Sequence, residues 1–111
     1  MGCLFCAISA KTIPATVLHE DDDVLAFLDL HPEAPFHALV IPRLHIRSLA
    51  EAADPALVGR VAMAAAAVAA AAGYAERGYR VVANTGPEAG QSVDHLHFHV
   101  LAGRALGWPP G

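Results

Sequence analysis

Three histidines at alternate positions, His95, His97 and His99, stand in the run His-Leu-His-Phe-His-Val. Strand side chains repeat with period two, so the three imidazoles share one face and Leu96, Phe98 and Val100 the other. Imidazole is well suited to proton transfer near neutral pH, and it also serves as a nucleophile or a zinc ligand. The plain alternative is a solvent-facing polar stripe, but an ordinary strand rarely takes histidine three times running. Spacing alone does not separate metal binding from nucleophilic chemistry.

The segment before the triad, Asn84-Thr85-Gly86-Pro87-Glu88-Ala89-Gly90-Gln91-Ser92, adds to this. Its glycines permit close backbone approach, and Gln91 and Ser92 supply side-chain donors that could face a phosphate beside the imidazoles. An ordinary Gly-Pro turn is the competing reading. At the other end of the chain, Cys3 and Cys6 form a Cys-x-x-Cys pair, weak evidence by itself because two buried thiols near a helix start look the same.

The elements that must hold these residues can be read from pattern. Cys3 to Ala10 is a short helix, ended by Thr12-Ile13-Pro14. Thr16 to His19 and Val24 to Leu30 are strands joined by the acidic turn Glu20 to Asp23, a hairpin signal. His31 to Pro35 is a loop, since two prolines three residues apart exclude a helix interior or a central strand. His37 to Pro42 is a strand. Asp54 is an N-cap and Pro55 a first helical residue, and Leu57, Val58, Val61, Ala62 and Ala65 trace one stripe of a helix running to about Tyr74. Tyr79 to Asn84 and Leu96 to Leu101 complete the strands. Two helices and five extended segments with short early connections indicate an α+β fold with an antiparallel sheet.

Bulk properties narrow the function. With 111 residues, the expectation is a single domain over 1–111. The net charge of −4 argues against a nucleic-acid-coating protein, which would carry a basic face. The apolar run Val61 to Ala72 is too short and alanine-rich to span a bilayer, and Met1 to Ser9 lacks the features of a secretory signal. Neither nucleic acid nor membrane is an expected partner, and the expected location is cytoplasmic. A structural disulfide between Cys3 and Cys6 is not expected there, which leaves metal binding or plain burial.

The stretch Gly90-Gln91-Ser92-Val93-Asp94-His95-Leu96-His97-Phe98-His99-Val100 resembles the signature of the histidine-triad (HIT) superfamily. Three further stretches are similar to its nucleoside phosphoramidase branch: Phe27-Leu28-Asp29-Leu30 followed by Pro32, His37 to Pro42 followed by His45, and Trp108-Pro109-Pro110-Gly111. The resemblance implies a five-stranded antiparallel sheet with two helices, and a homodimer with a continuous ten-stranded sheet in which Trp108 helps form the partner's pocket.

It also implies a hydrolase of purine nucleoside phosphoramidates, such as adenosine 5′-monophosphoramidate, acting through a nucleotidyl-histidine without a catalytic metal. His97 matches the nucleophile, His99 the phosphate contact, Ser92 a residue assisting the departing amine, and His37 a histidine orienting the nucleophile. Asp29 matches the ribose ligand, with Leu30 beside it. Phe5 and Ile8 match the apolar wall around the base, and Asn84, Gly90 and Gln91 contacts near the phosphate. In bacterial-type relatives, the positions of Cys3, Cys6, His45 and His95 form a structural zinc site, which would turn His95 away from His97 and His99. His19 and His31 match nothing functional and are read as surface residues. Dinucleoside polyphosphate hydrolysis and a non-enzymatic nucleotide-binding role are the alternatives.

Overall fold

A computed structural model describes residues 2–111, so Met1, the first residue of the expected domain, lies outside the described residues. The elements follow in the order α1 (Leu4–Ser9), β1 (Val17–Glu20), β2 (Val24–Leu28), β3 (Phe36–Pro42), a 3-10 turn at Leu49–Glu51, α2 (Pro55–Ala71), β4 (Arg80–Val82) and β5 (Phe98–Ala102). The strands form one antiparallel sheet in the order β1-β2-β3-β5-β4. Two helices and five strands are the architecture expected from the sequence.

Strand alternation divides the core in two. Val24, Ala26, Ala38, Val40, Phe98 and Val100 face Val61, Ala64, Ala65, Val68 and Ala69 of α2. Leu25, Phe27, Leu39 and Ile41 face the other way and pack with Phe5 and Ile8 of α1. The central strands therefore have apolar residues at consecutive positions, because both of their faces are covered. The alanine content of α2 lets that helix lie close to the sheet, with small side chains filling little space between the backbones.

Element ends differ from the sequence reading for local reasons. Helix α2 stops at Ala71, not near Tyr74, because Gly73 takes φ 92° and the amides of Gly73 and Tyr74 donate to the carbonyls of Ala70 and Ala69. That pairing is the Schellman motif, in which a left-handed residue satisfies the last carbonyls. At the other end, the Asp54 carboxylate accepts from the Ala56 amide at 3.0 Å, as its N-cap position requires. Strand β2 ends at Leu28 and not Leu30, and β4 is confined to Arg80–Val82 where Tyr79 to Asn84 was expected.

The largest difference lies at the triad. Strand β5 begins at Phe98, so His95 and His97 precede it and only His99 is in the ladder, opposite Leu39 and Val82. The alternation nonetheless extends back beyond the strand, since Leu96 joins the α2-side core with Phe98 and Val100. No helix among the described residues is long and apolar enough to cross a membrane.

Candidate active site and metal centre

The face of the sheet that carries α1 gathers the polar chemistry. His37 shares strand parity with Leu39 and Ile41, and His99 is a diagonal neighbour on β5, where Leu39 lies opposite His99 and His37 opposite Leu101. Asp29 follows β2 with the parity of Leu25 and Phe27, and its amide still donates to the His37 carbonyl at 3.0 Å. Three separate chain segments thus bring Asp29, His37 and His99 together.

Hydrogen bonds fix which imidazole nitrogen carries each proton. The His97 Nδ1 lies 2.8 Å from the His95 carbonyl, an acceptor only, so Nδ1 carries the hydrogen. The neutral ring then has a bare lone pair on Nε2. The Glu33 amide donates to His37 Nδ1 at 3.0 Å, which places the His37 hydrogen on Nε2, 2.8 Å from His99 Nδ1. His99 accepts there and carries its own hydrogen on Nε2. Neighbouring rings of one motif are therefore held in opposite tautomers, His97 as an Nε2 acceptor and His99 as an Nε2 donor.

Burial keeps the His37 and His99 rings neutral. Desolvation pulls His37 below the ordinary histidine range against the opposing pull of Asp29 and Glu33. His99 is lowered to about 4, first by burial and then by its neighbours His97 and His37.

Beside them lies a cleft of about 230 Å³ with Phe5, Ile8, Phe27 and Leu28 along its apolar side and Asp29, Ser92, His97 and His99 at its polar end. Asp29 Oδ1 accepts from the His31 amide at 2.8 Å, and Oδ2 lies 3.4 Å from His37 Nε2. Of the predicted residues, Phe5, Ile8, Asp29, Leu30, Ser92, His97 and His99 meet in this cleft, with His37 behind His99. Asn84, Gly90, Gln91 and Trp108 do not line it. Gln91 is committed elsewhere: its side chain accepts from the Gly86 amide and donates to the carbonyls of Arg47 and Val93. Trp108 is 82% exposed and stacks near Arg80. Sequence reasoning missed Ile13, Pro14 and Ala15, and it set aside His31, which is exposed yet lines the cleft. The only signal for Ile13, Pro14 and Ala15 was their place between α1 and β1, and for His31 its place just after Asp29.

A second constellation joins α1 to the start of the triad. Cys3 Sγ lies 3.4 Å from His95 Nδ1, Cys6 Sγ 3.4 Å from His45 Nδ1 and 3.6 Å from His95 Nδ1, and the two Nδ1 atoms are 3.2 Å apart. A tetrahedron with Zn–S of ~2.3 Å and Zn–N of ~2.0 Å has S···N edges of ~3.5 Å and N···N edges of ~3.3 Å. These four separations match those edges, and all four donor atoms lie within 4.8 Å of one another. His95 Nε2 lies 2.8 Å from the Pro42 carbonyl, which must be accepting, so its Nδ1 lone pair is free to face the cysteines. Donor type, spacing and tautomer all fit a structural zinc.

Asp29, His37 and His99 form another cluster of potential metal ligands, but its protons argue the other way. His37 Nε2 carries a hydrogen because Nδ1 already accepts from Glu33. Ligation there would break that bond, so this cluster is a hydrogen-bond relay.

Comparison with known proteins agrees with this geometry. The model of the HIT domain matches residues 10–106. An uncharacterized HIT-like protein of Synechococcus elongatus is 50% identical over 110 residues, covering 97% of this chain and 96% of the relative. The 14 kDa zinc-binding protein of Zea mays is 46% identical over 112 residues, covering 97% and 87%. Among solved structures, a HIT family hydrolase from Legionella pneumophila superposes with a TM-score of 0.96 at 45% identity, covering 99% of this chain and 100% of that one. A histidine triad protein from Clostridium difficile gives 0.92 at 43%, covering 96% and 95%.

Proposed function

Because the chain belongs to the HIT domain family and is similar along nearly its whole length to a HIT family hydrolase, we propose that it hydrolyses purine nucleoside phosphoramidates to the nucleoside monophosphate. The observation that carries the reading is the His97 tautomer: Nδ1–H is tied to the His95 carbonyl, so the bare Nε2 is the available nucleophile.

In this reading Nε2 of His97 attacks the α-phosphorus. A P–Nε2 bond forms, the P–N bond to the amine breaks, and the amine departs with a proton supplied from the side of Ser92. Water then attacks phosphorus and returns a proton to the side of Ser92, the P–Nε2 bond breaks, and the monophosphate leaves with neutral His97 and the proton donor both restored. The His99 Nε2–H donates to a phosphoryl oxygen as charge develops there, a role supported by its fixed tautomer. Asp29 accepts from the ribose hydroxyls, while Phe5 and Ile8 flank the base. Of the remaining expected contacts, Leu30 lines this pocket, and Gln91 braces the loop that leads to Ser92 through its bonds to Gly86, Arg47 and Val93.

Cys3, Cys6, His45 and His95 would hold zinc, whose contribution is to pin α1 against the catalytic segment. We further read residues 1–111 as one domain that pairs with a second copy through the free edge of β4, where Tyr79, Val81 and Trp108 are exposed apolar side chains. Trp108 would then serve the partner's pocket.

The test is a fluorogenic adenylate phosphoramidate offered beside a dinucleoside polyphosphate. Release of the amine by the native chain, with no detectable turnover and retained nucleotide affinity in His97→Ala, is the expected result. Preference for the polyphosphate would replace the substrate. Nucleotide affinity without turnover of either would make the chain a binding module. Full activity of His97→Ala would end the assignment of the nucleophile.

A further inference from the structure

The geometry points to Phe5 as the residue that couples the Cys3/Cys6/His45/His95 site to His97, so that metal occupancy and nucleotide affinity rise together. This rests on the nucleotide reading of the cleft.

Phe5 lies between Cys3 and Cys6 on α1, a helix of only six residues. So short a helix does not hold itself together and depends on its anchors. One end is held by Arg43, whose guanidinium donates to the Ser9 carbonyl and hydroxyl at 3.3 and 3.0 Å. At the other end, Cys3 caps the helix through Sγ, which accepts from the Cys6 amide at 3.4 Å. The side chains that start α1 are thus the same ones that contribute sulfur to the metal set.

The Phe5 ring is only 4% exposed and meets three groups edge-on. It stands 5.1 Å from the His97 ring at 82°, 6.0 Å from His95 at 73° and 5.5 Å from Phe27 at 69°. One ring therefore touches a metal ligand, the nucleophile and the wall of the cleft. A ring packed this way orients its neighbours, because edge-to-face contacts depend on angle. His95 provides a parallel link, since its side chain faces the cysteines while its carbonyl holds His97 Nδ1–H. Fixing α1 through its sulfurs fixes Phe5, and Phe5 in turn closes one side of the space around His97. Two ligands that favour the same arrangement must strengthen each other's binding by equal factors.

The experiment measures zinc affinity by competition with a chromophoric chelator, with and without AMP, and AMP affinity with and without zinc. Each ligand is expected to raise the affinity of the other about tenfold, within the usual range of such coupling. Phe5→Leu keeps all four metal ligands and an apolar side chain. It should still bind stoichiometric zinc, bind AMP more weakly, and lose most of the mutual effect.

If the metal-free chain unfolds, zinc-loaded Phe5→Leu decides the matter. Unchanged AMP affinity and an unchanged nitrogen spectrum of the His97 ring would overturn the proposal. So would equal coupling in Phe5→Leu and the native chain, or AMP binding to the native chain with no response to zinc. Failure of the zinc-loaded native chain to bind AMP at all would instead overturn the nucleotide reading, and this inference with it.

Discussion

His37 Nε2 lies 2.8 Å from His99 Nδ1, and the two rings reach each other diagonally across adjacent strands. The Glu33 amide sets the direction of that bond by donating to the far nitrogen of His37. A backbone N–H on a loop thus determines which nitrogen of His99 can donate to a ligand. Removing His37 in His37→Ala should leave His99 free to choose either tautomer. The loss of one oriented hydrogen bond, ~1–1.5 kcal/mol, corresponds to about a tenfold fall in kcat. His37→Gln, whose amide nitrogen can occupy the place of Nε2, should recover part of it. Steady-state kinetics of the three proteins check both outcomes; equal kcat in all three would remove His37 from the relay.

The neutral state of His99 makes a pH prediction. Its value of about 4 in the folded chain lies below the ordinary 6.5, so between those pH values the unfolded chain binds more protons. Stability should therefore rise with pH through this window and be lost as pH falls from about 6.5 toward 4. The lowered His37 acts in the same direction. Denaturant midpoints measured across the window should shift less in His99→Gln than in the native chain. An identical pH slope in the two would show that His99 does not contribute.

The metal set gives a prediction that does not depend on substrate. Cys6 Sγ lies near both His45 Nδ1 and His95 Nδ1, so Cys6→Ser should cost stoichiometric zinc in protein purified without chelator. It should also lower the thermal midpoint, because a metal bound only by the folded chain stabilises it. Elemental analysis and a melt with and without added zinc are sufficient. Native protein that holds no zinc, and melts the same with zinc added, would sink the reading.

Much of this site was legible because it depends on period. His97, His99, His37 and Asp29 lie on one sheet face by parity, and their residue types are uncommon enough to stand out. The N-cap at Asp54 was legible because capping chemistry is local, whereas the Sγ cap that Cys3 supplies to α1 was not read from the sequence. Less legible was anything set by side-chain hydrogen bonding at a distance. Gln91 looked like a free donor for phosphate, yet its amide spans Gly86, Arg47 and Val93. No pattern within the loop announces that Arg47, 44 residues away, will supply an acceptor. The helix end was misread because Gly73 and Gly78 are both stop signals, and only the hydrogen bonds at Gly73 show which one acts.

Gly103 is the clearest case of a constraint hidden from sequence pattern, and it leads to the last prediction. It follows β5 with φ 99°, and a Cβ added there would lie 2.8 Å from Pro35 Cβ and 3.2 Å from Pro35 Cγ. Pro35 belongs to the loop that carries the Glu33 amide to His37, and Arg104 pins the same loop by donating to the Glu33 carbonyl at 3.1 Å. Gly103→Ala should therefore cost both backbone strain and a displaced proline, ~2–4 kcal/mol together. Gly73→Ala separates the two, because Gly73 has φ 92° but no atom within 4 Å of an added Cβ. It should lose only the strain component and leave kcat unchanged, whereas Gly103→Ala should also lower kcat by moving Glu33 away from His37. Equal destabilisation in the two variants, with kcat unaffected in both, would show that the loop tolerates the displacement and that Gly103 does not help position the relay.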